Sequence, residues 1–364
     1  MASFMENNGQ SPMKWGIMGT GRVCNDFVQA LKATPGAKIQ AVCSRTKVRA
    51  AEFAEKHGIP VSHGSYQELA EDPEVQVVYI GSLHPLHREH AEMCLMAGKH
   101  CLVEKPFTCT VDDAKFLVNL AKEKGLFIME GMWTRFFPAV KKAREIVNSG
   151  AIGKVTMVNT EFCFDAISDN DAYPDSDMYS VPKGGGGAWY VGPYVVSAAT
   201  MAFNGEKPTV ISAAGLVDDK TGVDLSAACC LQFGAKGLAT LNYSLQAESL
   251  EETRIVGNTG RITINAPSHC PEAITVTKKL EGRGNVSSEV MEFPLPELPE
   301  CITSSGGFVY PNSMGFMYEA MAVQDYIRKG VTESPEYTHE EMITGMEILC
   351  RIRDQVGVES APFG

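Results

Sequence analysis

The sequence predicts an α/β protein of two domains: an N-terminal Rossmann-type, doubly wound parallel sheet over 14–135, then an α/β domain with a large, mostly antiparallel sheet over 136–364. Three observations carry this. A chain of 364 residues exceeds one ordinary core and suggests about two domains of roughly 100–200 residues. Its first third alternates short apolar runs with amphipathic helical stretches, and repeated βα units require right-handed crossovers and a parallel sheet. Its second half carries closely spaced strand candidates without long helices between most of them, which favours antiparallel pairing.

The elements begin at Trp15–Met18, a strand running into Gly19-Thr20-Gly21-Arg22-Val23-Cys24 and an amphipathic stretch over Phe27–Ala33, closed by Pro35-Gly36. Gly19 permits a tight turn, Gly21 lets the backbone approach a pyrophosphate, and Thr20, Arg22 and Val23 complete the candidate cradle at the start of the helix. Cys24 stands where a third glycine is usual. Taken alone the turn reads equally well as a tight βα connection. The next strand, Ile39–Cys43, ends in Ser44-Arg45, with Arg49 in the following helix, Lys47–Lys56. This is where an acid would hold a ribose 2′-hydroxyl. No acid is present; a guanidinium instead matches a 2′-phosphate in charge and fork geometry, so NADP is favoured over NAD. A solvated loop arginine is the plain alternative.

After the strand Val75–Ile80 comes Gly81-Ser82-Leu83-His84-Pro85-Leu86-His87, with His90 beyond it. The histidine spacing invites a metal, but no carboxylate accompanies it as in a zincin, so no metal is assigned. His84 and His87 are expected to border the cofactor or cap the helix His87–Ala97. The strand His100–Val103 then ends in Glu104-Lys105-Pro106, and a strand ending in a cation does so at a sheet's carboxyl edge, where open α/β sheets hold ligands. On these residues alone a surface turn is as good a reading. The helix Val111–Lys124 and the strand Leu126–Met129 complete the alternation.

In the second half a helix over Ala139–Asn148 precedes strands at Val155–Cys163, Thr209–Ala214, Ala227–Phe233, Leu238–Leu245, Thr253–Val256, Arg261–Ile264 and Ile274–Lys278. Helices are expected at Ser313–Lys329 and His339–Gln355, with Thr338 and Glu341 as a capping box. Between the first of these strands and the rest lies the long stretch Phe164–Gly187, holding Asp165, Asp169, Asp171, Asp175 and Asp177 and closing in four glycines. Its spacing fits no EF-hand, so it reads as a solvated loop or a lid over a substrate. Trp189, Tyr190 and Tyr194 follow; if the segment is helical, the two phenols share a face.

Composition narrows the function. With 44% apolar and 21% charged residues and no apolar run near the ~20 residues of a membrane span, the chain reads as a soluble globular protein. A net charge of −12 opposes binding to nucleic acid and favours a small-molecule partner. Eleven cysteines form no CxxC pattern, and the polar stretch Met1–Met13 resembles neither a signal nor a transit peptide, so a cytoplasmic location is expected.

Together, Gly19-Thr20-Gly21-Arg22, Ser44-Arg45, the loop Leu83–His87, Glu104-Lys105-Pro106, the run Met129–Pro138, Tyr318-Glu319-Ala320 and Ile327-Arg328-Lys329-Gly330 resemble the glucose-fructose oxidoreductase/inositol dehydrogenase (Gfo/Idh/MocA) family over nearly the whole chain. The run around Trp133 and Arg135 is most similar to its dimeric dihydrodiol dehydrogenase and NADP-dependent D-xylose dehydrogenase branch. The resemblance implies an NADP-dependent oxidoreductase of a sugar, polyol or cyclic diol, forming a homodimer through the C-terminal sheet. It directs Leu83, His84, His87, Glu104, Lys105, Trp133 and Arg135 to the cofactor and Phe162, Trp189, Tyr190 and Tyr194 to the substrate. Lys105 and Tyr194 become a composite acid–base pair, because a phenol's ordinary pKa near 10 is too high for a base unless an ammonium lowers it. Tyr190 departs from the family pattern, which has aspartate there. That departure keeps open a non-oxidative relative, either an NAD-assisted glycosidase or a nucleotide-sensing binding protein.

Overall fold

The computed structural model describes residues 11–168, 172–282, 284–304 and 306–359. The polar N-terminus through Gln10, and Asp169 and Asp171 of the long loop, lie outside the described residues. Strands β1 (Met13–Met18), β2 (Ala37–Cys43), β3 (Val61–His63), β4 (Val77–Ile80), β5 (His100–Glu104) and β6 (Ile128–Gly131) form one sheet in the order β3-β2-β1-β4-β5-β6, every pair parallel. Helices α1 (Arg22–Lys32), α2 (Lys47–His57), α3 (Tyr66–Glu71), α4 (His87–Met96) and α5 (Val111–Lys124) alternate with them. This is the doubly wound order, with its reversal between β1 and β4. Every residue of β4 and β6 is buried, which is why β4 reads as an unbroken apolar run in the sequence, while β6 buries Glu130 beside Ile128 and Met129. Helix α2 starts where Thr46 accepts the Arg49 N–H and stops at Gly58 in a left-handed conformation, φ 68°. The sequence does not foretell β3 and α3; three and six residues long, they are too short to leave a periodic signal.

The chain continues through α6 (Pro138–Asn148), β7 (Val155–Cys163), α7 (Gly187–Tyr190) and α8 (Gly192–Ala202) into β8 (Val210–Val217), β9 (Asp224–Phe233), β10 (Gly237–Ser244), β11 (Thr253–Gly257), β12 (Gly260–Ile264), β13 (Ala273–Lys279) and β14 (Val286–Glu292). The eight strands β7 to β14 order as β14-β13-β12-β11-β7-β10-β9-β8. All neighbours are antiparallel except β7 and β10, which run parallel with Leu238 beside Met157. Alternation along β9 buries Leu225, Ala227, Cys229, Leu231 and Phe233 and turns Ala228 and Gln232 to solvent, so the vicinal cysteines Cys229 and Cys230 point to opposite faces. The edge strand β14 is almost wholly exposed and carries no apolar alternation.

Helices α9 (Glu300–Ser304), α10 (Phe316–Arg328) and α11 (His339–Val356) end the chain. It divides into two compact units, one gathering residues through Phe107, Asp112–Trp133 and Leu295–His339, the other Thr108–Val111, Thr134–Pro294 and the chain from Glu340 on. The division at 135/136 read from the sequence places Leu295–His339 in the second part, whereas its contacts lie in the first unit. The reason is local chemistry. Buried Asp26 of α1 accepts the N–H groups of Val309 (2.8 Å) and Tyr310 (2.9 Å) and the Ser313 hydroxyl (2.7 Å). Phe316 packs edge-on to Phe27 of α1 with ring centroids 5.9 Å apart, and His339 Nε2 lies 2.9 Å from the Ile128 carbonyl of β6.

Candidate functional site

In the first unit Met18 pairs with Cys43 and with Ile80, Ile80 with Val103, and Val103 with Glu130. The residues that follow these therefore share the carboxyl edge: Gly19–Val23, Ser44 and Arg45, Leu83–His87, Lys105 and Trp133. Gly19 holds φ +121°, and a Cβ there would stand 2.6 Å from the Gly81 carbonyl oxygen, so only glycine fits. At Gly21 a Cβ would meet nothing within 4 Å, and α1 begins without a side-chain hydrogen bond at its cap. Thr20 and Ser44 bring their hydroxyls to 3.1 Å, and Arg45 and Arg49 are exposed. An open glycine turn and a helix start without a side-chain cap suit the pyrophosphate of a dinucleotide.

The missing third glycine has a counterpart across the turn. Cys24 Sγ donates to the Gly81 carbonyl at 3.3 Å, and a Cβ on Gly81 would stand 2.5 Å from that sulfur. The larger residue on the helix is thus accommodated by a glycine after β4. His87 turns inward, its Nδ1 2.9 Å from the Pro106 carbonyl and its Nε2 3.1 Å from that of Ser82. Burial lowers its pKa. It braces the Leu83–His87 loop against the turn that carries Lys105, while Leu83 and His84 stay half-buried.

Beneath that turn lies a group of carboxyls which local sequence does not bring together. Glu104 Oε1 accepts the Tyr79 hydroxyl at 2.7 Å and Oε2 the Lys105 N–H at 3.2 Å, so this carboxylate anchors the strand end instead of facing outward to a cofactor. Glu130 Oε1 accepts the Phe107 N–H at 3.0 Å, and burial pushes its pKa up to about 7. Glu319 of α10 is buried with neither carboxyl oxygen hydrogen-bonded; burial, then Glu104 and Glu130, push its pKa well above the usual range. Lys105 is pulled the other way: burial lowers its pKa, opposed by Glu104 and Glu130. Sequence reasoning does not single out Tyr79, Glu130 and Glu319, although Glu130 and Glu319 lie inside quoted motifs.

Two further residues expected at the cofactor are engaged elsewhere. Trp133 is buried against Phe316, centroids 4.3 Å apart and planes 16° from parallel. Arg135 is buried in the second unit, Nε donating to Ser197 Oγ (2.7 Å), Nη2 to the Ser197 carbonyl (2.7 Å) and Thr200 Oγ1 (3.1 Å), and Nη2 pairing with Glu341. That pairing also engages Glu341, expected in a capping box.

In the second unit Tyr194, in the first turn of α8, meets Phe162 of β7 at 5.2 Å between centroids. His269, between β12 and β13, stacks on Phe162 at 4.6 Å and 17° and lies edge-on to Tyr194 at 5.4 Å. Its Nδ1 forms an ion pair with Glu251. The recess lined by Tyr194, Phe162 and His269 has a volume of about 20 Å³, which suits a water-sized guest and makes it a floor for the phenol, not a chamber for a sugar ring. Tyr190 and Tyr194 do not share one helix: Val191 (φ −123°, ψ −21°) breaks it, and Tyr190 ends α7 half-buried. Trp189, expected to face a substrate, is only 1% exposed, with the Arg353 guanidinium 4.7 Å above its ring. Buried Asp224 fixes this segment, accepting the Ala188 N–H (2.6 Å) and the Tyr243 hydroxyl (2.8 Å) and facing Arg353 at 3.3 Å. In the long loop Asp165 accepts the Ser168 N–H and Asp177 pairs with Lys183. Among the described residues no group of three or more His, Cys, Asp or Glu is placed to hold a metal ion, and no helix is long and apolar enough to cross a membrane.

Comparison with known proteins gives the family and the fold. Residues 13–132 match the model of an oxidoreductase family with an NAD-binding Rossmann fold, and residues 140–263 match the GFO/IDH/MocA C-terminal domain. A trans-1,2-dihydrobenzene-1,2-diol dehydrogenase of Xenopus laevis is 35% identical over 355 residues, 95% of this chain and 98% of its own. The Homo sapiens protein of the same name is 34% identical over 348 residues, 95% of this chain and 97% of its own. Among solved structures, levoglucosan dehydrogenase in complex with NADH and levoglucosan gives a TM-score of 0.82 at 20% identity over 95% of this chain and 97% of that one. A 3-ketoreductase from Actinomadura kijaniata with NADP and TDP-benzene gives 0.77 at 21% over 95% and 98%. At such identities the structures share the fold.

Proposed function

The chain belongs to the GFO/IDH/MocA oxidoreductase family, and from that premise we propose that it is an NADP-dependent dehydrogenase of a ring-borne hydroxyl, in a cyclic diol, sugar or polyol. The observation that carries the reading is the place of Lys105, directly after β5 at the nucleotide edge and beside the buried carboxyls of Glu104 and Glu130, where burial lowers its pKa and the two carboxyls oppose that shift. The nicotinamide, when bound, takes the hydride. The chain supplies the rest: the start of α1 and the Gly19–Gly21 turn hold the pyrophosphate, and Ser44, Arg45 and Arg49 hold the 2′-phosphate. Tyr194 takes the hydroxyl proton, and Lys105 serves the reaction from the nucleotide edge. Relatives named for dihydrodiol oxidation, and the Phe162–Tyr194 ring wall, support a cyclic diol.

A second copy of the chain is the proposed partner. Met157, Leu238 and Val210 are all exposed, and Leu238 stands beside Met157 on one side and Gln232 on the other, with Val210 next to Gln232. Three exposed apolar side chains in a row interrupted only by Gln232 make a surface that association would cover. The functional test mixes purified protein with NADP or NAD and a panel of cyclic diols, aldoses and inositols and follows reduced-cofactor absorbance. Turnover with NADP, abolished by both Lys105→Met and Tyr194→Phe, is expected. Tight NADP binding without turnover of any alcohol would overturn the dehydrogenase reading.

A further inference from the structure

We propose that Glu104, Glu130 and Glu319 form a buried proton store behind Lys105. Glu130 gives up a proton when the oxidised, cationic nicotinamide binds and regains one as the ring is reduced. This rests on the dehydrogenase reading, which seats the nicotinamide at Lys105, and adds to it a coupling between cofactor charge and protonation. All three glutamates are buried, at 5%, 2% and 0% exposure. Glu104 ends β5, Glu130 belongs to the paired strand β6, and Glu319 enters from α10. Lys105 is the cation beside Glu104 and Glu130. Three ionised carboxylates against one lysine would leave buried negative charge unbalanced, which costs more than keeping protons. Hydrogen bonds sort the three. Glu104 accepts from the Tyr79 hydroxyl and the Lys105 N–H; burial raises its pKa, Lys105 and Tyr79 oppose that, and it ionises first. Glu319 has no hydrogen bond at either oxygen, and an anion without a donor is the costliest state, so it stays an acid. Glu130 lies between these extremes. It accepts from the Phe107 N–H and the Tyr337 hydroxyl, and its pKa of about 7 places the transferable proton there. The other titratable neighbours stay neutral, since burial raises Tyr79 and Cys24 and lowers His87 and His339. Oxidising an alcohol delivers a hydride to the ring and frees the hydroxyl proton, and a carboxylate that regains a proton at that moment offsets the release.

The test is calorimetric titration of NADP and of NADPH into the protein in buffers of different ionisation enthalpy, which counts the protons exchanged on binding. The phosphates are common to both forms, so the difference between them reads the charge of the ring. Near the pH of about 7 at which Glu130 titrates, NADP should release roughly half a proton or more per site beyond NADPH. A nearby cation lowers a carboxyl pKa, so this excess is greatest just below that pH and fades above it, where Glu130 has already lost its proton. Glu130→Gln should abolish the excess. Glu319→Gln, an amide in place of an acid, should keep it, which separates the titrating group from a merely buried one. Infrared difference spectra of the wild type serve if Glu130→Gln does not fold: a carboxylic-acid C=O stretch should vanish with NADP and remain with NADPH. Equal proton counts for the two forms, an excess that survives Glu130→Gln, or an acid stretch that NADP leaves unchanged would overturn the proposal. Wild-type protein that shows the excess but oxidises no alcohol would refute the dehydrogenase reading and leave the proton store standing.

Discussion

Gly81→Ala places a methyl carbon 2.5 Å from Cys24 Sγ and 3.0 Å from Tyr79 Cε1. Neither neighbour has room to retreat. Tyr79 is stacked on Phe27 at 3.7 Å and donates to Glu104, and Cys24 is fully buried on α1. Overpacking of this kind costs about 1–3 kcal/mol, and contacts this short put the expected loss at about 2 kcal/mol. Cys24→Ala alone removes one buried atom and costs about 1 kcal/mol. The double variant should recover most of the overpacking, so the cycle should show a favourable coupling of about 1 kcal/mol or more, read from urea midpoints of the four proteins. NADP affinity should follow the same pattern, falling in Gly81→Ala and returning in the double variant, because the Gly81 carbonyl borders the Gly19 turn. Additive losses within about 0.5 kcal/mol would refute the idea that a glycine after β4 replaces the third glycine of the turn.

Two further outcomes follow from the first unit. Arg45→Ala should weaken NADP roughly tenfold or more, in line with one charge-assisted contact, and leave NAD nearly unchanged by calorimetry; equal losses would remove Arg45 from the 2′-phosphate. Glu130 gives a pH dependence of stability. Its carboxyl, held at about 7 in the fold against an ordinary value of 4.5, keeps its proton in the folded protein while the unfolded chain has lost it. The folded state binds more protons, so stability falls as pH rises through that window, by up to about 3 kcal/mol, and levels off above it. Glu130→Gln should flatten this part of the profile in urea titrations between about pH 5 and pH 8, and a slope equal to that of wild type would show that Glu130 does not carry it.

The nucleotide unit is legible in the sequence because parallel strands buried on both faces leave contiguous apolar runs and glycine turns punctuate them. The signal fails where elements are too short, as at β3 and α3, or too exposed, as at β14. The parallel pairing of β7 with β10 joins strands separated by two helices and two strands, a relation that local spacing does not encode. At the site, Lys105 and Tyr194 can be singled out because each sits in a local motif. Glu319 cannot be placed near Glu104, nor His269 near Tyr194, since these neighbours meet only through tertiary packing. Arg135 shows the converse: its motif position suggests a ligand, but its donors are directed to Ser197, Thr200 and Glu341. The two tyrosines at spacing four promise a shared helical face, and the break at Val191 removes it.

Everything proposed for the site depends on a carbon-bound hydrogen of a hydroxyl-bearing ring passing to the nicotinamide. One turnover of the protein with NADP and a cyclic diol deuterated at the carbinol carbon, with the recovered cofactor analysed by NMR, follows that hydrogen directly. Deuterium is expected at C4 of the nicotinamide, and none with Tyr194→Phe. Cofactor bound to wild-type protein that acquires no deuterium from any of the diols, sugars or polyols would contradict the transfer.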